Sequence, residues 1–198
     1  MTELIWQPSQ DRIDNANITT LITAINRTWG ADLADYADLH RFSIDEMEKF
    51  WASFWDFSGV ISKTKGERVL LNRDKMPGAE WFPDARLNYA ENLLRRRDDN
   101  DALVFWGEDR VKRRLSGNDL YNEVSRVKQA LEAAGVTSGD RVVGYLPNMP
   151  EAIIAMLAAV SLGAIWSSCS PDFGIQGVLD RFGQIEPKVI FAVDGYFY

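Results

Sequence analysis

The sequence predicts an α/β fold in which a helical, aromatic-rich N-terminal extension is followed by the first part of a doubly wound, mostly parallel sheet. Before residue 98, apolar and aromatic residues recur at helical spacing; after it, strand and helix patterns alternate with short connections. Such alternation favours parallel pairing, because a right-handed crossover returns each strand to the same sheet. We therefore divide the chain into an extension, 1–97, and the first part of a second domain, 98–198.

Glycines mark the ends of two predicted helices in the extension. The first covers residues 17–28, with Gly30 just past its end. The second begins with a capping box formed by Ser43 and Glu46, and Gly59 ends it. Its apolar face consists of Met47, Phe50, Trp51, Phe54 and Trp55. A short strand at 68–71 and a helix over 87–96 complete the extension.

The second domain begins with a predicted hairpin and continues as strands separated by helices. Strands at 102–106 and up to Leu115 flank a turn at 107–110, and a capping box of Ser116 and Asp119 then starts a helix that Gly135 closes. The remaining predicted elements are strands at 141–146, 164–168 and 188–193, a helix over 150–162, and a helix from residue 175 that Pro187 stops. The helix over 150–162 is apolar on nearly every side, which predicts that it is buried. Ile175, Val178, Leu179, Phe182 and Ile185 share one face of the last helix.

Charge and composition narrow the classes of protein to which the chain could belong. The chain has 46% hydrophobic residues and a net charge of −7, and its basic run Arg95 to Arg97 is followed at once by acids. We therefore expect a folded protein with no nucleic-acid partner. The longest apolar stretch, 152–166, is shorter than the roughly 20 residues that span a bilayer. With a single cysteine, Cys169, this predicts a cytoplasmic protein with no membrane contact.

Ligands of an open parallel sheet bind beyond the carboxyl ends of its strands, here the loops after residues 146, 168 and 193. The sequence contains neither a phosphate-binding P-loop nor a dinucleotide-binding glycine motif. Ser167 to Asp172 contains serines and Cys169 where a nucleophile could stand, but we interpret these small residues as packing at a strand end. His40 has no second histidine or nearby cysteine, so we expect neither a metal site nor a catalytic base there.

Two further features are interpreted from the residues alone. Trp51, Phe54, Trp55 and Phe57 could stack on a sugar or a partner helix, but their helical spacing favours a role in the core. At the other end, 196–198 follow directly on a predicted core strand. We therefore expect this sequence to be part of a longer protein, with the remainder of its own chain as a partner.

Two segments carry a resemblance to a known family. Residues 80–94, EWFPDARLNYAENLL, closely resemble the signature that precedes the adenylate-forming domain of short-chain acyl-CoA synthetases. Residues 139–164, with GDRV, LPN, EA, MLA and LGA in order, are similar to an early core motif of AMP-forming ligases. Within the family, AIWSSCSPDFG at 164–174, together with Trp6-Gln7-Pro8 and Trp55-Asp56-Phe57, looks like the branch that acts on acetoacetate.

The resemblance implies a two-step reaction with ATP, Mg²⁺ and CoA. Acetoacetate attacks the α-phosphate of ATP to give an acyl-adenylate and pyrophosphate, and the CoA thiol then displaces AMP. The family's phosphate loop, ribose-binding acid and catalytic lysine lie beyond residue 198 in the family order, so no residue of this chain is expected to be catalytic or to bind a metal. The turn Asp194-Gly195-Tyr196 resembles a place where related enzymes contact the nucleotide end of CoA, although they use basic residues there.

Two other interpretations remain open at this point. The first keeps the reaction and changes the acid to acetate or propionate, since the family shares most of these motifs. The second is a free-standing α/β module that binds a protein partner through its aromatic extension. Under the first interpretation, as under the acetoacetate one, we expect the 198-residue chain to be inactive by itself.

Overall fold

The computed structural model describes residues 5–108 and 110–196, which form two compact units divided between Leu87 and Asn88. The predicted turn residue Asp109 and the last residues of the chain, Phe197 and Tyr198, lie outside the described residues. The fold class is α/β, as predicted: the first unit is mainly helical and the second contains a parallel sheet. No helix of the described residues is long and apolar enough to cross a membrane.

The described part of the first unit contains four helices followed by a two-stranded antiparallel ribbon. They are α1 (Gln10–Asp14), α2 (Asn17–Trp29), α3 (Tyr36–Asp45) and α4 (Met47–Ser58), and the ribbon pairs β1 (Leu70–Leu71) with β2 (Glu80–Trp81). Both predicted glycine ends are confirmed, since Gly30 and Gly59 take left-handed φ angles of 64° and 62°. The small core consists of Leu21, Ile25 and Leu39.

Two predictions for the aromatic helix were wrong. Ser43 is not a cap: it lies inside α3, where its hydroxyl donates to the carbonyl of His40 at 2.7 Å, and α4 starts after Glu46 with no side-chain cap. The aromatic residues of α4 are not a buried core either, because no residue of this helix is buried. The rings pack partly on one another, with the centroids of Phe50 and Trp51 5.4 Å apart, and Trp51, Phe54 and Phe57 remain 38%, 41% and 38% exposed.

The second unit begins with α5 (Tyr89–Leu93), which is shorter than the predicted helix over 87–96. Asn88 caps it by accepting a hydrogen bond from the Glu91 N–H at 3.2 Å. The side-chain amide of Asn88 also donates to the carbonyls of Val160 and Ser161. A single asparagine therefore starts this helix and ties it to the end of a distant one.

The predicted hairpin and capped helix are present. Strands β3 (Asp101–Gly107) and β4 (Val111–Ser116) pair in antiparallel register as a sheet of their own. Helix α6 (Gly117–Ala133) follows, and its capping box of Ser116 and Asp119 is confirmed.

The remaining elements form the doubly wound part of the fold. In chain order they are β5 (Arg141–Tyr145), α7 (Pro150–Ser161), β6 (Ile165–Cys169), α8 (Ile175–Phe182) and β7 (Val189–Ala192). The strands pair in parallel in the order β6-β5-β7. Val142 packs in one cluster with residues of α6 and α7, whereas its neighbour Val143 packs with Phe182 of α8. Because successive side chains of a strand point to opposite faces, helices cover both faces of the sheet.

Helix α7 is buried as predicted, whereas the predicted apolar face of α8 is only half correct. Val178, Phe182 and Ile185 pack beneath the sheet, but Ile175 and Leu179 are 82% and 60% exposed. The helix ends at Phe182, so Ile185 contacts the sheet from the loop beyond it. The part of the face that contains Val178 and Phe182 is turned toward the sheet, whereas the part that contains Ile175 and Leu179 is turned toward solvent.

Candidate functional site

In the sheet order β6-β5-β7, β6 pairs with one edge of β5 and β7 pairs with the other edge. The direction in which strands are added therefore reverses at β5. In open α/β sheets, ligands bind outside the carboxyl ends of the strands where the strand order reverses. At this end of the sheet the structure has a groove with a volume of about 440 Å³. Its walls include Phe105, Val111, Arg113, Met149, Glu151 and Tyr196.

Three separate parts of the chain form this groove. The hairpin contributes one face, because Phe105 pairs with Arg113 and Gly107 pairs with Val111 across the two strands. The loop after β5 and the first turn of α7 contribute Pro147 to Glu151, and the segment after β7 contributes Val193, Gly195 and Tyr196. The groove is therefore apolar along its walls, with a few charged side chains.

An ion pair crosses from the hairpin to the start of α7. The guanidinium of Arg113 donates to Oε1 of Glu151, and the two side chains are 38% and 43% exposed. Oε2 of Glu151 is buried and has no hydrogen-bond partner among the described residues. Oε1 is therefore the oxygen that Arg113 holds, and Oε2 is the oxygen that is buried.

A network of hydrogen bonds orders the loop after β6. Tyr145 on the central strand donates to the carbonyls of Pro171 and Phe173, at 2.7 and 2.9 Å. Asp172 accepts hydrogen bonds from Ser170 at 2.7 Å and from the Tyr196 hydroxyl at 2.5 Å. These two hydrogen bonds, first that from Ser170, hold the pKa of Asp172 below its ordinary value of 3.8.

Part of the turn that was predicted to contact CoA, Asp194-Gly195-Tyr196, lines this groove. Gly195 and Tyr196 line it, whereas Asp194 is exposed and is not among the lining residues. Tyr196 is the residue that joins the loops after β7 and β6, through its hydrogen bond to Asp172. Arg113, Glu151 and Asp172 could not be assigned to one site from the sequence, because Arg113 and Glu151 lie 38 residues apart and Asp172 is joined to the groove through Tyr196, 24 residues away.

The other residues considered from sequence lie elsewhere. Cys169 is buried at the end of β6, and burial raises the pKa of its thiol, with the charge of Arg181 acting in the opposite direction. A raised pKa makes a poorer nucleophile at neutral pH, in agreement with a packing role. His40 is an exposed residue of α3 whose ring lies 6.2 Å from that of Tyr36. Within 5–108 and 110–196, no group of three or more His, Cys, Asp or Glu could hold a metal ion.

Comparison with known proteins identifies the class. Residues 90–196 match the family described as AMP-binding enzyme, and residues 36–93 match the acetyl-coenzyme A synthetase N-terminus. The chain belongs to the AMP-binding enzymes. The resemblance to AMP-forming acyl-CoA synthetases is thereby confirmed.

The relatives within this family include acetoacetyl-CoA synthetases. The enzyme from Rhizobium meliloti is 48% identical over 98% of this chain and 30% of its own length. That from Macaca fascicularis is 43% identical over 99% of this chain and 29% of its own length. The solved structure of the acetoacetyl-CoA synthetase from Streptomyces lividans superposes with a TM-score of 0.91 at 44% identity, covering 100% of this chain and 31% of the other. The chain thus spans about 30% of the length of the relatives it matches.

Proposed function

We propose that the protein containing this chain is an AMP-forming ligase that joins acetoacetate to CoA. The observation that carries the proposal is similarity to acetoacetyl-CoA synthetases over essentially the whole chain, in sequence and in structure. In the first step the carboxylate of acetoacetate displaces pyrophosphate from ATP and forms an acyl-adenylate. In the second the thiol of CoA attacks the acyl carbon and AMP leaves. The same similarity favours this function over a free-standing interaction module.

Within this function, the 198 residues supply scaffold and one edge of a substrate site. The described residues offer no cluster of ligands suited to Mg²⁺, and the sequence has no phosphate-binding loop, so no residue here is assigned to Mg²⁺ or to the ATP phosphates. We expect the chain to be inactive without the remainder of the protein. A cytoplasmic location and the division into an extension, 1–97, and an incomplete AMP-binding domain, 98–198, also remain part of the proposal.

The turn Asp194-Gly195-Tyr196 is proposed to contact the nucleotide end of CoA. Its position after β7, at the carboxyl edge of the sheet, is where a ligand of this fold class is expected. Gly195 and Tyr196 both line the groove, and the aromatic and aliphatic walls suit a ligand that is only partly polar.

The test is acid-dependent AMP release by the full-length protein, with ATP, Mg²⁺ and CoA, comparing acetoacetate with acetate and propionate. We expect AMP and acetoacetyl-CoA to appear in equal amounts, and acetoacetate to have the highest kcat/KM. A preference for acetate or propionate would retain the ligase and replace its substrate. Absence of AMP with all three acids would overturn the proposed function.

A further inference from the structure

A second groove of the second unit lies between helices α5 and α6. Its walls include Glu91, Arg97, Tyr121, Ser125 and Lys128, and we call it the α5–α6 groove. Ser161, the last residue of α7, also lines it, so the groove lies toward the amino ends of the parallel strands, away from the groove described above. Its volume of about 370 Å³ is sufficient for a small molecule.

Arg97 brings a stacked guanidinium with free donor groups to this groove. Its guanidinium carbon lies 3.8 Å from the centroid of the Tyr121 ring. In the part of the chain that the structure describes, this guanidinium makes neither a hydrogen bond nor an ion pair. The neighbouring Arg96, in contrast, donates to the carbonyl of Asp101 and pairs with Asp98. Stacking on a ring orients the plane of the guanidinium and leaves the N–H groups at its edge for a ligand.

One face of α6 adds further donors beside this guanidinium. Tyr121, Ser125 and Lys128 follow one another at helical spacing, which places them along the same face. The Ser125 hydroxyl accepts from Nε2 of Gln129 at 3.3 Å and donates to none of the described residues. Lys128 pairs with Glu132 at 3.3 Å, and an exposed pair of this kind is weak enough for a ligand to compete with it. The face therefore supplies a second positive charge and a hydroxyl donor.

The charges of the lining residues favour an anion. Arg97 and Lys128 are opposed by the carboxylate of Glu91, which has no hydrogen-bond partner within 5–108 and 110–196. The described lining is therefore positive on balance, whereas the whole chain has a net charge of −7. A planar guanidinium forms paired hydrogen bonds with two oxygens of a phosphate or a carboxylate. The groove thus suits a small molecule that carries such a group.

We propose that the α5–α6 groove binds a small molecule through its phosphate or carboxylate group. Arg97 donates to the oxyanion from its stacked position, Lys128 adds charge, and Ser125 adds a neutral donor. The site is distinct from the proposed CoA contact, because it lies toward the opposite ends of the strands. It goes beyond the proposed function and does not depend on it.

Binding of two simple anions to the full-length protein tests this proposal. The probes are inorganic phosphate and succinate, titrated separately and followed by the broadening of their NMR lines. Anion sites elsewhere in the protein contribute equally to wild type and variants, so the readout is the difference between them. For at least one probe, Arg97→Ala should weaken binding at this site about tenfold, because charge-assisted hydrogen bonds are lost. Unchanged binding of both probes would overturn the proposal.

Arg126→Ala is the matched control for the change in net charge. Arg126 lies on α6, pairs with Glu123 at 2.7 Å and is not among the residues that line the groove. Its substitution removes the same charge as Arg97→Ala and should leave anion binding unchanged. Arg97→Lys keeps the charge but loses the planar fork, so its binding should lie between wild type and Arg97→Ala. Equal losses for Arg97→Ala and Arg126→Ala would mean that only overall charge attracts the anion, and no site would remain.

Glu91→Gln tests the sign of the ligand charge. Removing this carboxylate should tighten anion binding about threefold, because a like charge is lost from the groove. Weaker binding in Glu91→Gln would contradict an anionic ligand. Circular dichroism of each variant confirms that it folds, so a loss of binding is assigned to the site. The titrations need no turnover, and absence of AMP release in the enzyme assay would overturn the proposed function while leaving this inference standing.

Discussion

At the scale of single residues, the surroundings of Asp140 lower the pKa of its carboxyl group strongly. Its Oδ2 accepts hydrogen bonds from the backbone N–H of Thr137 at 2.7 Å, from Lys188 at 3.0 Å and from the Thr137 hydroxyl at 3.0 Å. These groups, first the Thr137 N–H, lower the pKa of Asp140 from 3.8 to about 2. Lys188, just before β7, also donates to the carbonyl of Gly135. The ion pair of Lys188 with Asp140 therefore connects the turn before β5 to the start of β7.

This shift predicts how stability depends on pH. A carboxyl group with a lowered pKa in the folded state stabilises the fold above its unfolded value and loses that contribution as pH falls through the folded value. For Asp140 the window runs from 3.8 down to about 2. The difference in unfolding free energy between wild type and Asp140→Asn should therefore be constant at neutral pH and shrink across this window. Urea titrations at several pH values measure it.

The matched control is Asp32→Asn, at an exposed position in the loop before α3. Its difference from the wild type should be small at every pH. A pH-independent difference for Asp140→Asn would mean that the carboxylate contributes through shape and not through charge.

At the scale of elements, the start of α6 and the supposed start of α4 offer a comparison. Ser116 accepts from the Asp119 N–H at 3.1 Å, while the Asp119 carboxylate accepts from the Ser116 N–H at 3.0 Å. Ser43 has a similar sequence context and makes no such contact, since α3 runs through it. The first serine satisfies otherwise unpaired N–H groups at a helix end, and the second does not.

We expect Ser116→Ala to lower the free energy of unfolding by about 1 kcal/mol, the usual cost of losing a helix cap. Ser43→Ala should have little effect, because the hydroxyl only donates to a carbonyl within its own helix. Chemical denaturation of the two variants under identical conditions checks the pair. A larger loss from Ser43→Ala would restore the capping role predicted from sequence.

At the scale of the whole molecule, each compact unit has a core of its own. In the first unit Ile25 is fully buried among Leu21 and Leu39, and in the second Leu157 is 1% exposed among residues of α6 and β5. The core of the first unit is small, and large rings of α4 remain partly exposed beside it. Stability should therefore differ between the two units.

Cavity-forming substitutions test this separation. Ile25→Ala and Leu157→Ala should each cost about 2–5 kcal/mol in their own unit. Hydrogen exchange followed by mass spectrometry should show lost protection in α2 and α3 for the first variant, and in α6, α7 and β5 for the second. Equal loss of protection in both units for either variant would mean that the chain unfolds as one cooperative body.

Much of the fold could be predicted from sequence because its signals are local. Gly30, Gly59 and the Ser116 capping box mark helix ends through the conformation of their own backbone or that of near neighbours. The alternation from β5 to β7 follows from runs of apolar residues separated by turn residues. Where a local signal competed with the continuation of a neighbouring helix, as at Ser43, the prediction failed.

What the sequence by itself determined is the α/β class, the order of the elements in the second unit and, through its motifs, the family. Only the tertiary structure decided the site, since it pairs Arg113 with Glu151 across 38 residues and Tyr196 with Asp172 across 24. It also decided that the aromatic rings of α4 stay partly exposed. The physical reason is the range of the interactions: caps and periodicity act within a few residues, whereas a groove exists only after distant strands and loops have packed together.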